Sequence, residues 1–253
     1  MLNINDISLP TLTILFFVIF ISSTVQSTTS FGFNLIATPI FLIFFDPEQV
    51  IPILMPLTAS VNIGIILLNS QIPEFKKSSI LIFGGLIGIP IGIIILSKSH
   101  PDYLKISTGL IILTFAILTT TIPEKLNFKR NSIQDFIIGL GSGIFATSTS
   151  LSGPLIVLYL TNTNTPKAEF RRIISCFLLF IQIFSIITLI FAGYINLETL
   201  TLGVKLLPAI ILPFFIAIKI LKSINENLFK SIVLGIVIFS SISAIMSSLI
   251  PLI

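Results

Sequence analysis

Two hydroxyl-rich breaks interrupt otherwise apolar runs, and they carry the side chains best suited to hold a ligand. The first reads Gln26-Ser27-Thr28-Thr29-Ser30-Phe31-Gly32-Phe33-Asn34, and the second reads Thr147-Ser148-Thr149-Ser150-Leu151-Ser152-Gly153-Pro154. Laid together from Ser27 and Thr147, they match hydroxyl with hydroxyl and then Leu35-Ile36 with Leu155-Ile156. Beyond each break a short apolar run predicts a half-helix, whose first N–H groups lack intrahelical partners and whose dipole presents its positive end. Two such ends facing one another across hydroxyls form a site for an anion. The candidate ligands are Ser27, Thr28, Thr29, Ser30 and Asn34 on one break and Thr147, Ser148, Thr149, Ser150 and Ser152 on the other. Gly32 and Gly153 supply conformational freedom and room for close approach. Each hydroxyl taken singly has an equally good alternative, capping its own helix. The pairing of two breaks is what favours the ligand.

Two amides lie mid-span at matching positions, Asn62 and Gln182. Each can donate an N–H to an oxyanion or serve as interhelical glue worth about 0.6 to 2 kcal/mol. Both follow a break by one span, which assigns them to the site.

The elements that position these residues follow from the apolar runs. Five segments fall in each half: about 10–28, 33–45, 48–69, 78–97 and 103–122, then 133–147, 153–162, 168–193, 197–219 and 228–250. The second of each five is short. At ~1.5 Å per residue it reaches only ~15 to 20 Å, too little for a hydrocarbon core of ~30 Å. Asp46-Pro47, Pro101-Asp102 and Thr165-Pro166 mark helix starts. The expected organisation is all-α and membrane-embedded, with two inverted repeats, each a broken-helix hairpin followed by three transmembrane helices. The first repeat covers 1–122, a cytoplasmic linker 123–134, and the second repeat 135–253.

Composition supports the membrane. With 54% hydrophobic and 9% charged residues and a mean hydropathy of +1.11, the chain has too little polar surface to cover a soluble domain. The runs are helix-length rather than alternating strands, against a β-barrel. The net charge of +4 is no nucleic-acid signature here, because position and not sum carries the information. If each break returns to the side it came from, Lys76, Lys77, Lys125, Lys129, Arg130, Lys167, Arg171, Arg172, Lys219, Lys222 and Lys230 share one side, and only Lys98, Lys105 and Lys205 the other. The positive-inside rule then places both termini outside a plasma membrane.

The order of apolar helix, Gly/Ser-rich break, apolar half-helix, short Pro-containing loop and long helix with a mid-span Asn/Thr, repeated once, resembles the sulfite exporter TauE/SafE family of anion permeases. The residues that carry the likeness are Phe31-Gly32-Phe33-Asn34-Leu35-Ile36-Ala37-Thr38-Pro39, and Gly139-Leu140-Gly141-Ser142-Gly143-Ile144 through Gly153-Pro154. It extends from about Pro10 to Leu249. The resemblance implies transport of sulfite, sulfonates and related small organic anions. The family's breaks are richer in glycine, and hydroxyls replace several of those glycines here.

A membrane-embedded enzyme would need paired carboxylates, a His-rich metal cluster or a Ser/His or Ser/Lys dyad at depth. His100 and Cys176 are the only residues of their types, and no cofactor or metal ligand set is evident. A passive anion channel could use the same donors. Inverted repeats favour alternating access. The expected partners are a small anion and the lipid bilayer, without nucleic acid; the sequence does not speak to oligomeric state.

Overall fold

The computed structural model describes residues 7–68, 73–121, 129–163 and 165–211, with positions 4, 213, 235, 238, 241, 242, 245 and 246. The expected segment at 228–250 and Lys125, Lys219, Lys222 and Lys230 fall largely or wholly outside these residues. The described elements are α1 (Leu9–Thr29), α2 (Phe33–Phe44), α3 (Pro47–Leu68), α4 (Phe75–Lys98), α5 (Pro101–Thr121), α6 (Ser132–Thr149), α7 (Pro154–Thr161), α8 (Lys167–Phe191) and α9 (Leu197–Leu206). Five of them, α1, α3, α4, α5 and α8, are long and apolar enough to cross a membrane. This is an all-helical integral membrane protein.

The helix starts follow local rules. Pro47, Pro101 and Pro154 open α3, α5 and α7, where the missing N–H costs nothing. Ser8, Asn131 and Asn196 cap α1, α6 and α9 by accepting from Thr11, Gln134 and Thr199 N–H. The first helix of each hairpin ends alike. Ser30 closes α1 at φ 68 and ψ 6, and Ser150 closes α6 at φ 67 and ψ 6. Left-handed backbone is uncommon outside glycine, and among the described non-glycine residues only these two serines adopt it.

Each short helix folds back along its predecessor. Phe33, Ala37 and Phe41 of α2 join Leu15, Val18 and Ile19 of α1 in one buried cluster, with Leu54, Leu57 and Val61 of α3 and Leu202 and Leu206 of α9. A second cluster joins α4, α7 and α8 through Leu81, Ile89, Ile156, Val157, Phe177 and Ile181. Between them, Val25, Ile36, Ile112 and Leu151 hold the two breaks together. The outward face is apolar, with Phe17, Leu67, Phe83 and Phe191 exposed, as lipid contact requires.

α4 and α6 pack backbone to backbone. A Cβ on Gly84 or Gly88 would overlap the carbonyl oxygen of Phe136 or Leu140, and one on Gly139 or Gly143 that of Leu81 or Gly85. Small residues every fourth position let transmembrane helices approach this closely.

Ion pairs sort the helix ends. Lys77 pairs with Glu169 at 2.8 Å, Arg172 with Glu74, and Arg130 grips Asp135 while donating to the Lys77 carbonyl. The starts of α4, α6 and α8 therefore share one end of the bundle. At the opposite end, Lys105 of α5 is fully buried and reaches Asp46, before α3, at 2.9 Å. Burial and the Glu48 carboxylate push the Tyr194 phenol above its usual range, which sets the end of α8 beside the start of α3. Since α6 and α8 begin at the same end, the α6–α7 hairpin returns to the side it left. Lys105 falls within the expected segment 103–122, here α5.

Candidate anion-binding cavity between the helix breaks

Asn62 lies fifteen residues beyond the start of α3, and Gln182 fifteen beyond the start of α8. Those helices start at opposite ends, so at ~1.5 Å per residue each amide sits ~22 Å from its own end. Together these distances match the ~40 to 45 Å of a full bilayer. Asn62 and Gln182 therefore meet near mid-thickness, where Asn62 Nδ2 donates to Gln182 Oε1 at 2.6 Å.

Gln26, in the last turns of α1, joins them. Its Nε2 donates to Asn62 Oδ1 at 2.9 Å, and its Oε1 accepts the Phe33 N–H at 3.3 Å. That N–H opens α2, so one of the N–H groups without an intrahelical partner at the α2 terminus is taken by a glutamine. Asn34 ties the two breaks, with Nδ2 donating to the Ser150 carbonyl at 2.6 Å and Oδ1 accepting Thr58 Oγ1 at 3.0 Å.

Gln26, Asn34, Thr58 and Gln182 wall a cavity lined also by Gly32, Ser152, Gly153 and Leu178. No charged side chain lines it among the described residues. The centre of a water-sized sphere has about 20 Å³ to move in, room for about one water. Gln182 Nε2, on a fully buried side chain, has no hydrogen-bond partner, and neither has the buried Ser150 Oγ. An unpaired buried amide donor is costly unless something accepts from it.

The predicted site residues separate into two sets. Gly32, Asn34, Ser152, Gly153 and Gln182 line the cavity, Asn62 supports Gln182, and Ser30 and Ser150 shape the turns. Thr28, Thr29, Ser148 and Thr149 donate to carbonyls of their own helices, and Thr147 donates across to Ile89 of α4 at 2.8 Å. Ser27 Oγ is buried without a partner and is not among the lining atoms. The lining is thus built more from amides than from the ring of hydroxyls the sequence suggested. Gln26 and Thr58 were missed. Their signal was position, since Gln26 is a third amide inside a span and Thr58 stands one turn before Asn62.

One side of the cavity is covered by the first turn of α8. Phe170 packs edge-on against Phe31, a lining residue, with ring centroids 6.4 Å apart. Arg171 Nη2 donates to the Thr28 carbonyl at 3.0 Å, satisfying one of the open carbonyls at the end of α1.

The family model described as sulfite exporter TauE/SafE matches residues 15–244, nearly the whole chain and both breaks. The chain belongs to the sulfite exporter TauE/SafE family. Neither a curated protein nor a solved structure matches it. This TauE/SafE protein is thus a member of a membrane transporter family. All three amides, both αL serines and the Phe31–Phe170 contact fall within the matched residues.

Proposed function

We propose that this TauE/SafE protein exports a small sulfur-containing or organic anion, such as sulfite or a sulfonate, by alternating access around the cavity between its two breaks. The observation that carries this reading is the unpartnered Nε2 of buried Gln182, a residue that lines a cavity without charged side chains. Such a donor is completed by an oxyanion acceptor, and neutral donors in a low-dielectric site bind an anion without trapping it in an ion pair.

The two halves are read as inverted repeats. The same 120-residue interval separates Asn62 from Gln182 and Ser30 from Ser150, and the partners in each pair have matching roles. Inverted repeats place a substrate site at their interface and exchange its access by rocking one bundle against the other. The cavity as it stands is too small for a polyatomic anion, so loading requires the breaks to separate. The close α4–α6 contact is the rigid body in that motion, and the Phe31–Phe170 and Arg171–Thr28 contacts are the closure that opens.

Among the described residues, Lys76, Lys77, Lys129, Arg130, Lys167, Arg171 and Arg172 are read at one end, with Lys98, Lys105 and, in α9, Lys205 on the other side. The positive-inside rule makes the first end cytoplasmic and the N-terminus external in a plasma membrane. An interior-negative potential then drives an anion outward by about 2.3 kcal/mol per charge per 100 mV, without a coupling ion.

Counterflow in proteoliposomes tests the reading against a panel of labelled sulfite, small sulfonates, carboxylates and chloride. Exchange of sulfite or a sulfonate with little chloride is expected. Exchange of none of the oxyanions would remove the reading, and rapid chloride flux would favour a channel.

A further inference from the structure

We infer that Asn62, which does not line the cavity, sets the sign of the ligand by holding Gln182 with its amide N–H facing inward. This rests on the cavity's being the anion site proposed above. An amide has an acceptor oxygen and a donor nitrogen of nearly the same shape, so its orientation is dictated by its neighbours. The dictation starts at the Phe33 backbone N–H, which can only donate. Gln26 must meet it with Oε1, at 3.3 Å, which leaves Nε2 for Asn62. Asn62 must accept with Oδ1, at 2.9 Å, which leaves Nδ2 for Gln182. Gln182 must accept with Oε1, at 2.6 Å, which leaves Nε2, on a residue that lines the cavity, with no partner.

All three side chains are buried, at 1%, 0% and 0% exposure, and Asn62, between the other two, lies outside the cavity. Turning any one amide over sets donor against donor or acceptor against acceptor in a low dielectric. One N–H at the start of α2 thereby fixes a donor in the cavity three side chains away. The cavity is built to complete itself with an acceptor, and it disfavours a cation.

An isosteric substitution reverses the relay. An ionised carboxyl at position 62 has only acceptors. It keeps the bond from Gln26 Nε2, draws Gln182 Nε2 to its other oxygen and turns Gln182 Oε1 into the cavity. Once protonated, it donates to Gln182 Oε1 and restores the native orientation. Among the described residues, other titratable groups lie away from this position, Tyr159 near the end of α7 and beside Asp135 included. α1 and α2 carry none, and Glu48 is in the first turn of α3. Lys167, Glu169, Arg171 and Arg172 lie in the first turns of α8, Asp135 starts α6, and Asp102 and Lys105 start α5. Lys76, Lys77 and Lys98 are at the ends of α4, Glu198 is at the start of α9, and Lys205 is exposed on it. Cys176 is buried on α8, well over a turn away.

The test is transport of methanesulfonate, whose charge is constant across the range, by reconstituted full-length protein. Asn62→Asp is compared with wild type in the native background and in a Gln182→Met background, from about pH 8 to about pH 5, a range that spans a carboxyl raised by burial. The Met background has no amide to turn, so it reports the effect of the added charge alone. The expected result is a loss at pH 8 at least about tenfold larger with Gln182 present, an excess that disappears at pH 5. Equal losses in the two backgrounds would reduce Asn62 to packing and overturn the relay while leaving the anion site standing. Failure of wild type to carry methanesulfonate or sulfite would overturn the site and the relay together. If Asn62→Asp does not yield folded protein, Gln26→Glu makes the same reversal one link earlier and is judged by the same comparison.

Discussion

Asn62 and Gln182 meet at 2.6 Å in the middle of the bundle although 120 residues separate them in the chain. They lie at equal distances from the starts of helices that enter from opposite ends. Removing one of them therefore acts on both halves. In the reading developed above, Gln182 touches the anion and Asn62 aims it.

Gln182→Ala is expected to raise the KM for sulfite about 10- to 100-fold, because a hydrogen bond to a charged group contributes about 1.5–3 kcal/mol. Concentration-dependent uptake by purified, reconstituted protein measures this. An unchanged KM would move the anion away from Gln182.

The close approach of α4 and α6 gives a prediction about folding rather than transport. Gly143→Val and Gly88→Val force side chains onto the Gly85 and Leu140 carbonyls. Overpacking of this kind costs about 1–3 kcal/mol or more. Both should lower the melting temperature in detergent. Gly203→Ala, where an added Cβ meets nothing within 4 Å, should not. Equal behaviour of all three would show that the contact is looser than described.

Cysteine labelling checks the orientation. In a Cys176→Ala background, single cysteines at Lys76 and Lys129 should be shielded from an impermeant thiol reagent in intact cells, and one at Asp102 should react. Labelling at Lys76 from outside would invert the assignment.

Much of this arrangement was legible in the sequence. The apolar runs at 10–28 and 33–45 correspond to α1 and α2, because Pro10, Asp46-Pro47 and the polar break leave few other boundaries. Lys and Arg positions grouped the starts of α4, α6 and α8, which the ion pairs bring together. The roles of individual hydroxyls were not legible. Thr28 and Ser148 satisfy themselves on carbonyls of the preceding turn, a choice made by rotamer and not by composition. Gln26 stood at the edge of the break and read as part of it, yet its partners are Phe33 and Asn62. The burial of Lys105 depends on Asp46, which is distant in the chain and close only in the fold.

The first turn of α8 should act as a gate. Phe170→Ala removes the ring that covers Phe31. A cysteine at Ser152 in the Cys176→Ala background should then react faster with reagent applied from the cytoplasmic side of inside-out vesicles. No change in rate would locate the closure elsewhere.

The central claim is that neutral donors between the breaks carry an oxyanion across the membrane with its charge. It is tested most directly by uptake of sulfite, methanesulfonate and chloride into proteoliposomes under an imposed potential. The account predicts that sulfite and methanesulfonate enter in proportion to the inside-positive potential, while chloride, a single atom unable to engage donors on both breaks, lags well behind. Oxyanion rates indifferent to potential, or chloride carried as fast as either, would contradict it.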